Sequence, residues 1–422
     1  MTAAPRTLIV CHGHPRLTPG GTETVAHDLC QALNARGIAD ASFLGCVTAL
    51  HRATRHDSAL QSLDGGSGDH LLRVGRFDPF MLSNAGDDAA LKGFARLLAV
   101  LRPDIVHYHH LLHIGAESLA LVRRIVPHVR IVLSLHDFFP ICARDGLMLK
   151  TAGDVLCHAA GPDACHGCFP DRSPERFALR RLHLGNMLGL VDRFVAPSRF
   201  LRDRFVAWGI DGDRIAVIPN GVPAASCDPD DGDVRQRDRF GFFGTVAPHK
   251  GVLLAMEAAT RAEKSLDLSL TVFGGSAHQP QDFRDEFDRL KRRGGGRVFH
   301  HGPYERSEIS RLMRGIDWVV VPSLWWENAP LVILEAFRHR RPVIAADVGG
   351  MAELVGHGVN GLLFRRGDSR DLERAMTRAV SERELWSRLR AGIPPVPTVS
   401  DAAVAHGRLY RELLDTEQRM SA

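Results

Sequence analysis

Short, β-branched apolar runs alternate along this chain with longer segments whose apolar residues recur at helical spacing. Thr7–His12, Asp104–Tyr108, Val129–Leu135 and Arg193–Ala196 read as strands in the first half. Val25, Leu29, Ala32 and Leu33 share one helical face, and Ala89–Leu101 and Gly115–Val126 read as further helices. The rhythm resumes with strand candidates Phe240–Gly244, Leu268–Gly274, Val298–His301, Trp318–Pro322 and Val343–Ala346. Helical segments near Val252–Arg261, Asp282–Arg292, Glu305–Arg314 and Leu331–Arg340 separate them. Strands apolar on both faces belong in parallel sheets covered by helices, which places the chain in the α/β class.

A length of 422 residues exceeds the roughly 250–300 at which one core stops growing. Between Ala224 and Arg239 apolar residues almost vanish and Asp, Pro and Gly dominate, as in an interdomain linker. The reading is two doubly wound domains. The first spans 1–222, with a cysteine-rich insertion at about 138–172; the linker is 223–238 and the second domain 239–398. A C-terminal helix within 399–422, read over Val404–Gln418, is a candidate to pack back on the first domain. The Asp-x-Asp pairs in and before the linker are read as turn chemistry rather than metal ligands.

Charge excludes one class of function. Only five of 53 basic side chains are lysine, but 49 acidic residues balance them and no long basic run occurs, so nucleic-acid binding is not expected. The first residues lack the basic-then-apolar pattern of a signal peptide, and no apolar run approaches the ~20 residues of a membrane span. A cytoplasmic protein is expected, and in that reducing compartment its eight cysteines are thiols or metal ligands rather than disulfides.

The densest chemical signal is Pro322-Ser-Leu-Trp-Trp-Glu327-Asn-Ala-Pro330-Leu-Val-Ile-Leu-Glu335. A strand ends, a loop carries Glu327, and a helix begins near Pro330, where a missing N–H costs nothing. Free N–H groups at a helix start hold phosphate oxygens, and a carboxylate at Glu335 can accept two ribose hydroxyls. Spacing alone equally fits two glutamates on an amphipathic helix. The segment resembles the E-x7-E motif of family 4 glycosyltransferases, retaining enzymes of the GT-B fold. Pro19-Gly20-Gly21-Thr22-Glu23, Val217–Val222, Phe243-Gly244-Thr245 through Lys250-Gly251, Pro342–Gly350 and Asn360-Gly361 follow that family's pattern in order, over roughly residues 6–390.

The resemblance implies two Rossmann-like domains facing each other across a cleft, and a metal-independent transfer of sugar from a UDP- or GDP-sugar to a glycan or lipid-linked acceptor, as in surface polysaccharide assembly. It assigns Glu335 to the ribose, Glu327 to donor-sugar hydroxyls and Lys250 to the diphosphate. Backbone N–H groups at Gly20, Gly21, Ala329 and Leu331 would complete the phosphate site, with Gly274 and Tyr304 near the base. Where many relatives carry arginine this chain has Thr245. Either another arginine substitutes, or leaving-group stabilisation is weaker, or turnover is inefficient. At the carboxyl end of a first-domain strand, His136 would face donor sugar and acceptor, with Asp137, His109 and His110 as acceptor-side candidates.

Cys142, Cys157, Cys165 and Cys168 form the insertion's cluster, with one C-x2-C pair. Four thiolates can hold a structural zinc, or an iron–sulfur cluster; unrelated thiols in a loop fit as well. Cys11, Cys30, Cys46 and Cys227 read as structural. The Arg176–Leu188 stretch alternates basic and apolar residues, as would a helix lying peripherally on anionic lipid or an ordinary packed helix with exposed arginines. A dinucleotide oxidoreductase is disfavoured, since no G-x-G-x-x-G follows a strand, and a P-loop is disfavoured because Lys250-Gly251 lacks the G-K-[ST] ending. A non-catalytic nucleotide-sugar-binding protein and a GT-B-fold epimerase remain as alternatives.

Overall fold

The computed structural model describes residues 4–48, 58–63, 68–224, 237–263, 265–277 and 279–421. The chain divides into two compact units, residues 1–221 with 397–422, and residues 222–396. Most of the linker segment, 225–236, lies outside the described residues, with Cys227 and the Asp228–Asp233 pairs.

The first unit is built on β1 (Arg6–Cys11), β2 (Asp40–Thr48), β3 (Leu60–Ser62), β4 (Asp69–Val74), β5 (Ile105–Tyr108), β6 (Arg130–Ser134), β7 (Arg193–Ala196) and β8 (Ile215–Val217). Their spatial order is β3-β4-β2-β1-β5-β6-β7-β8, parallel throughout except for β3 against β4. The order reverses between β1, which leads outward to β2, and β5, which starts the other half. Such a switch point opens a crevice at the carboxyl ends of the two strands. The second unit repeats the logic. Strands β9 (Arg239–Phe243), β10 (Ser269–Phe273), β11 (Val298–Gly302), β12 (Trp318–Val321), β13 (Val343–Ala346) and β14 (Gly361–Phe364) lie in the order β11-β10-β9-β12-β13-β14. The switch falls between β9 and β12.

The last helix, Val399–Ser421, belongs to the first unit. It packs along helix Gly21–Ala35, and Ala403, Tyr410 and Leu413 join a core with Ile9, Leu29, Leu33 and Phe43. It starts earlier than Val404 because Thr398 and Asp401 cap its first turn reciprocally: Asp401 accepts from the Thr398 amide and hydroxyl, and Thr398 Oγ1 accepts from the Asp401 amide. The apolar alternation also left out β2, β3, β4, β8 and β14. β2 reads DASFLGCVT, opening on small and polar residues and broken by Gly45, while β3 and β8 have three residues each, too few to show a period. Arginine-dense helices were missed too. Arg199–Trp208 buries only Leu201, Phe205 and Trp208, and Ser369–Ser381 buries Leu372, Met376 and Ala379.

Helix Pro174–Leu188 sharpens the reading of the basic stretch. Arg180 is buried and donates to the carbonyls of Phe80, Pro140 and Phe139, so it ties loops together and is not a lipid-facing charge. Leu179 and Leu182 are the exposed large apolar residues of that helix. Among the described residues no helix is long and apolar enough to cross a membrane.

Candidate active site

In the second unit, β9 and β12 deliver the two loops with the strongest sequence signal to one place. The loop after β9 closes in a single 3-10 turn, Pro248–Lys250, and the chain then passes through Gly251 at φ 68°. A Cβ there would stand 2.0 Å from the carbonyl oxygen of Pro322, so glycine lets this loop press against the one after β12. Lys250 Nζ consequently meets Glu327 Oε1 at 2.7 Å. Ser323 Oγ and Trp325 Nε1 donate to the same oxygen, each at 2.8 Å, and the lysine lies 5.0 Å from the Trp325 ring centre. All three donors converge on Oε1, and none of them on Oε2. Burial pushes the Glu327 carboxyl up, but Lys250 and the three hydrogen bonds outweigh it and hold it below the usual carboxylate range.

Helix Leu331–Arg338 starts directly after Pro330, with no side-chain cap. The Ile333 amide donates to the Pro330 carbonyl at 3.0 Å, and the amides of Leu331 and Val332 before it lie in the part of the turn that has no intrahelical acceptor. Gly350 holds the preceding loop in place: its amide donates to the carbonyl of Glu327 at 2.7 Å, and a Cβ on it would overlap the Asn328 carbonyl oxygen at 1.6 Å. Glu335, one turn into the helix, is partly buried. Burial raises its carboxyl to about 6, against the opposing charge of Arg306. Tyr304 is pushed up by burial and then by Glu335, and it stands edge-on to Phe243 and Phe273 at 5.9 and 6.5 Å. Those two rings stack at 4.4 Å. An aromatic corner at the ends of β9 and β10 thus adjoins the helix that carries Glu335. Gly274 belongs to it at φ 151°. Thr245 is exposed on its loop and takes no part in the Lys250–Glu327 network.

In the first unit, the switch point is lined by imidazoles. His109 Nδ1 meets His136 Nε2 at 3.0 Å, the two rings stacked at 5.1 Å. His110 Nε2 meets Asp137 Oδ2 at 2.8 Å, and Asp137 Oδ1 accepts the Phe139 amide at 2.8 Å. All four residues line one small cavity with Leu82 and Pro140. Burial lowers His136 to about 3, with His110 and His12 adding to it against Asp137, so the ring is neutral at physiological pH. His109 is likewise lowered well below its ordinary value, by burial and then by the surrounding imidazoles. Asp137 is driven up by burial but held below its ordinary value, first by His110.

His12, directly after β1, is the opposite case. Burial would lower it, but hydrogen bonding to Cys11 and Glu23 raises it to about 9. Its Nε2 meets Glu23 Oε1 at 3.0 Å. Glu23 is buried and turns back over the start of helix Gly21–Ala35. A Cβ on Gly20 would lie 2.4 Å from Glu23 Oε2, so glycine at 20 makes room for this carboxylate. The helix start that the motif reserved for a diphosphate therefore carries a carboxylate of its own. His12 and Glu23 were missed as site residues, although His12 follows a strand in the same way as His136. Ser323 and Trp325 were missed because nothing in spacing says which loop side chains turn inward.

The cysteine insertion folds as turns and the short helix Pro162–His166. Burial raises the thiols of Cys142, Cys157 and Cys165, and their mutual repulsion adds to it. Cys157 Sγ donates to the Ala159 carbonyl at 3.3 Å and Cys142 Sγ to that of Arg144 at 3.9 Å. Among the described residues these four sulfurs, Cys168 included, do not supply a group of three ligand atoms within 4.8 Å of one another. As placed, the Cys142 and Cys157 thiols donate to backbone carbonyls. Cys11, Cys30 and Cys46 are buried.

Two parallel α/β units, each with chemistry at the carboxyl ends of its switch-point strands, define the GT-B class of glycosyltransferase. The chain matches the model for Glycosyltransferase Family 4 over residues 19–226 and that for Glycosyl transferases group 1 over residues 237–382, and it belongs to this family. It is 27% identical over 410 residues to the D-inositol 3-phosphate glycosyltransferase of Stackebrandtia nassauensis, an alignment spanning 91% of this chain and 85% of the relative. Sucrose-phosphate synthase from Thermosynechococcus elongatus has a similar fold at TM-score 0.73 and 18% identity, covering 98% of this chain and 100% of that one. So does Anabaena HepE in complex with UDP-glucose, at TM-score 0.64 and 18% identity over 97% and 99% of the two chains.

Proposed function

We propose that this glycosyltransferase moves a sugar from a nucleotide-diphosphate sugar to an acceptor hydroxyl with retention of anomeric configuration and without a catalytic metal. The observation that carries the reading is the Lys250–Glu327 contact at the second switch point, with Glu335 in the helix that follows. A diphosphate leaving group needs fixed positive charge and unpaired N–H donors where its own charge develops; Lys250 and the start of helix Leu331–Arg338 offer both. Glu327 Oε2 would accept a donor-sugar hydroxyl, and Glu335 the two ribose hydroxyls. Tyr304, Gly274 and the Phe243–Phe273 stack would face the base, and the backbone at Ala329 and Leu331 the phosphates. With the helix start at Gly20 and Gly21 covered by Glu23, we assign the diphosphate chiefly to second-unit groups.

Neutral His136 can donate or accept one hydrogen bond without bringing charge beside an oxocarbenium-like centre. It would orient the reacting sugar or acceptor, while a diphosphate oxygen takes the acceptor proton in same-face attack. His109, His110 and Asp137 would form the acceptor side of that cavity. The Anabaena complex with UDP-glucose favours UDP-sugars as first donors, and the relatives' name favours a small phosphorylated polyol as an acceptor beside a glycan or lipid-linked one. The test is release of UDP or GDP from a panel of nucleotide sugars with each acceptor. Turnover in the parent and its loss in Glu335→Ala are expected; undiminished turnover in Glu335→Ala would remove the ribose assignment. Donor binding with no turnover across the panel would favour a sensor, and acceptor-independent conversion an epimerase.

A further inference from the structure

Away from the imidazoles of the cavity, two other histidines of the first unit converge on one carboxylate. His14 lies three residues beyond β1, His27 in helix Gly21–Ala35, and Asp69 is the first residue of β4. Asp69 Oδ2 stands 3.2 Å from His27 Nε2 and 3.5 Å from His14 Nε2. One ligand atom from each residue lies within 4.8 Å of the other two, and this is the one such group of three among the described residues. The side chains are shielded, with exposures of 0% for His14 and 12% for both His27 and Asp69. Phe43 presents its ring edge-on to both imidazoles, at 5.4 and 5.1 Å, and so fixes their planes. His14 Nε2 is buried, points into the cluster, and makes no well-formed hydrogen bond there, its contact being Asp69 Oδ2 at 3.5 Å.

We propose that His14 Nε2, His27 Nε2 and Asp69 Oδ2 bind a first-row divalent cation of the zinc type as a structural site. Zinc–ligand bonds of about 2.0–2.1 Å in a tetrahedron put neighbouring ligands roughly 3.3–3.4 Å apart, between the two separations found. Two imidazoles and one carboxylate suit zinc and its transition-metal neighbours rather than magnesium or calcium. Burial leaves the fourth position to a water. A hydrogen-bonded His27–Asp69 pair alone would explain 3.2 Å, but it leaves buried His14 Nε2 with only a long 3.5 Å contact to the same oxygen. That nitrogen is the observation a metal accounts for.

The site has a proton balance. His14 Nδ1 accepts the Arg16 amide at 3.2 Å, so in the metal-free ring the proton sits on Nε2. A metal at Nε2 displaces it to Nδ1, which breaks the Arg16 bond. The shift releases no net proton. It also bears on the turn from His14 to Thr18, which leads into Gly20 and Gly21. The ion would tie this turn, the following helix and β4 together.

The test is titration of the chelator-stripped full-length protein with Co²⁺, followed by Zn²⁺ competition. One equivalent of cobalt with weak visible bands, and without the intense near-ultraviolet band of thiolate coordination, is expected. Asp69→Asn and His27→Gln, each checked by an unchanged far-ultraviolet circular dichroism spectrum, should weaken it at least tenfold. Cys165→Ser should leave it intact, which separates this site from the cysteine insertion. Zn²⁺ should raise the melting temperature of the parent and not of His27→Gln. A parent that binds no cobalt overturns the proposal. So do bands unchanged in both variants, or bands lost with Cys165→Ser.

Discussion

The two switch points solve one geometric problem with different chemistry. At the ends of β9 and β12 a single ion pair, Lys250 and Glu327 at 2.7 Å, carries the charge, and the Glu327 carboxyl is held below the usual carboxylate range. At the ends of β1, β5 and β6 the charge resides in imidazoles pushed in opposite directions: His12 up to about 9 beside Glu23, and His136 down to about 3 in its cavity. Burial acts on both rings with the same sign, so the difference is the partner. His12 has a carboxylate at 3.0 Å, whereas His136 hydrogen-bonds to another imidazole. The second unit thus holds its charge in one lysine–glutamate pair, and the first sets a neutral His136 beside carboxylates paired with other imidazoles.

The sharpest way to break this contrast is to remove the fixed charge. Lys250→Ala should lower kcat/KM by about a hundred- to a thousand-fold, the scale of a lost leaving-group stabiliser, at every pH from 6 to 8. A loss that varied strongly with pH would mean that the titrating groups of the first unit carry the charge. Next comes Glu23→Gln, read by denaturant unfolding. Glu23 contributes above the usual carboxylate range and loses that contribution as pH falls. His12 contributes fully below about 6.5 and loses it as pH rises through about 9. At pH 7 the variant should be less stable by about 1.5–3 kcal/mol, as for a hydrogen bond to a charged group. Stability that is unchanged between pH 5 and 8 would show the pair to be neutral.

Glu335 is the exception that sharpens the comparison, a titrating carboxyl in the fixed-charge unit. Its raised value means that the ligand-free fold prefers it protonated, a preference lost as pH rises through about 6. Ribose hydroxyls need the ionised form, so donor affinity should fall about tenfold from pH 7 to pH 5, and Glu335→Gln should flatten that profile. Isothermal titration with the donor's nucleoside diphosphate reads it. Smallest should be Trp325→Phe, which removes one of three donors on Glu327 and keeps the ring under Lys250. It should raise the donor KM by less than about tenfold.

The legible parts of the molecule were those where one chain segment carries its own signal. Loop, proline and two glutamates at 322–335 are contiguous, and β12 is apolar enough to be read alone. Lys250 stood out as one of few lysines. What sequence could not give was convergence across the fold. Glu23 sits in a recognised glycine motif, yet only the fold shows it turned back onto His12. His14, His27 and Asp69 are far apart in sequence, and β4, which carries Asp69, was itself not read, because strands 60–62 and 69–74 are short and interrupted. The basic stretch at 176–188 misled at Arg180, since periodicity cannot say which arginine finds three buried carbonyls. The cysteine spacing named a cluster without fixing where its sulfurs point.

The helix Val399–Ser421 has a consequence for how the protein comes into being. Tyr410 bonds to His107 at 2.7 Å, and His107 in turn to Ser134, beneath the cavity that holds His136. The ribosome therefore releases β1 to β8 long before the residue that closes their core has been joined to the chain. The second unit, continuous from 222 to 396, can finish folding first, although it is made later. During synthesis the earlier-made half waits with an open flank, and a chain cut short near residue 396 would leave that flank uncovered however complete the second half had become.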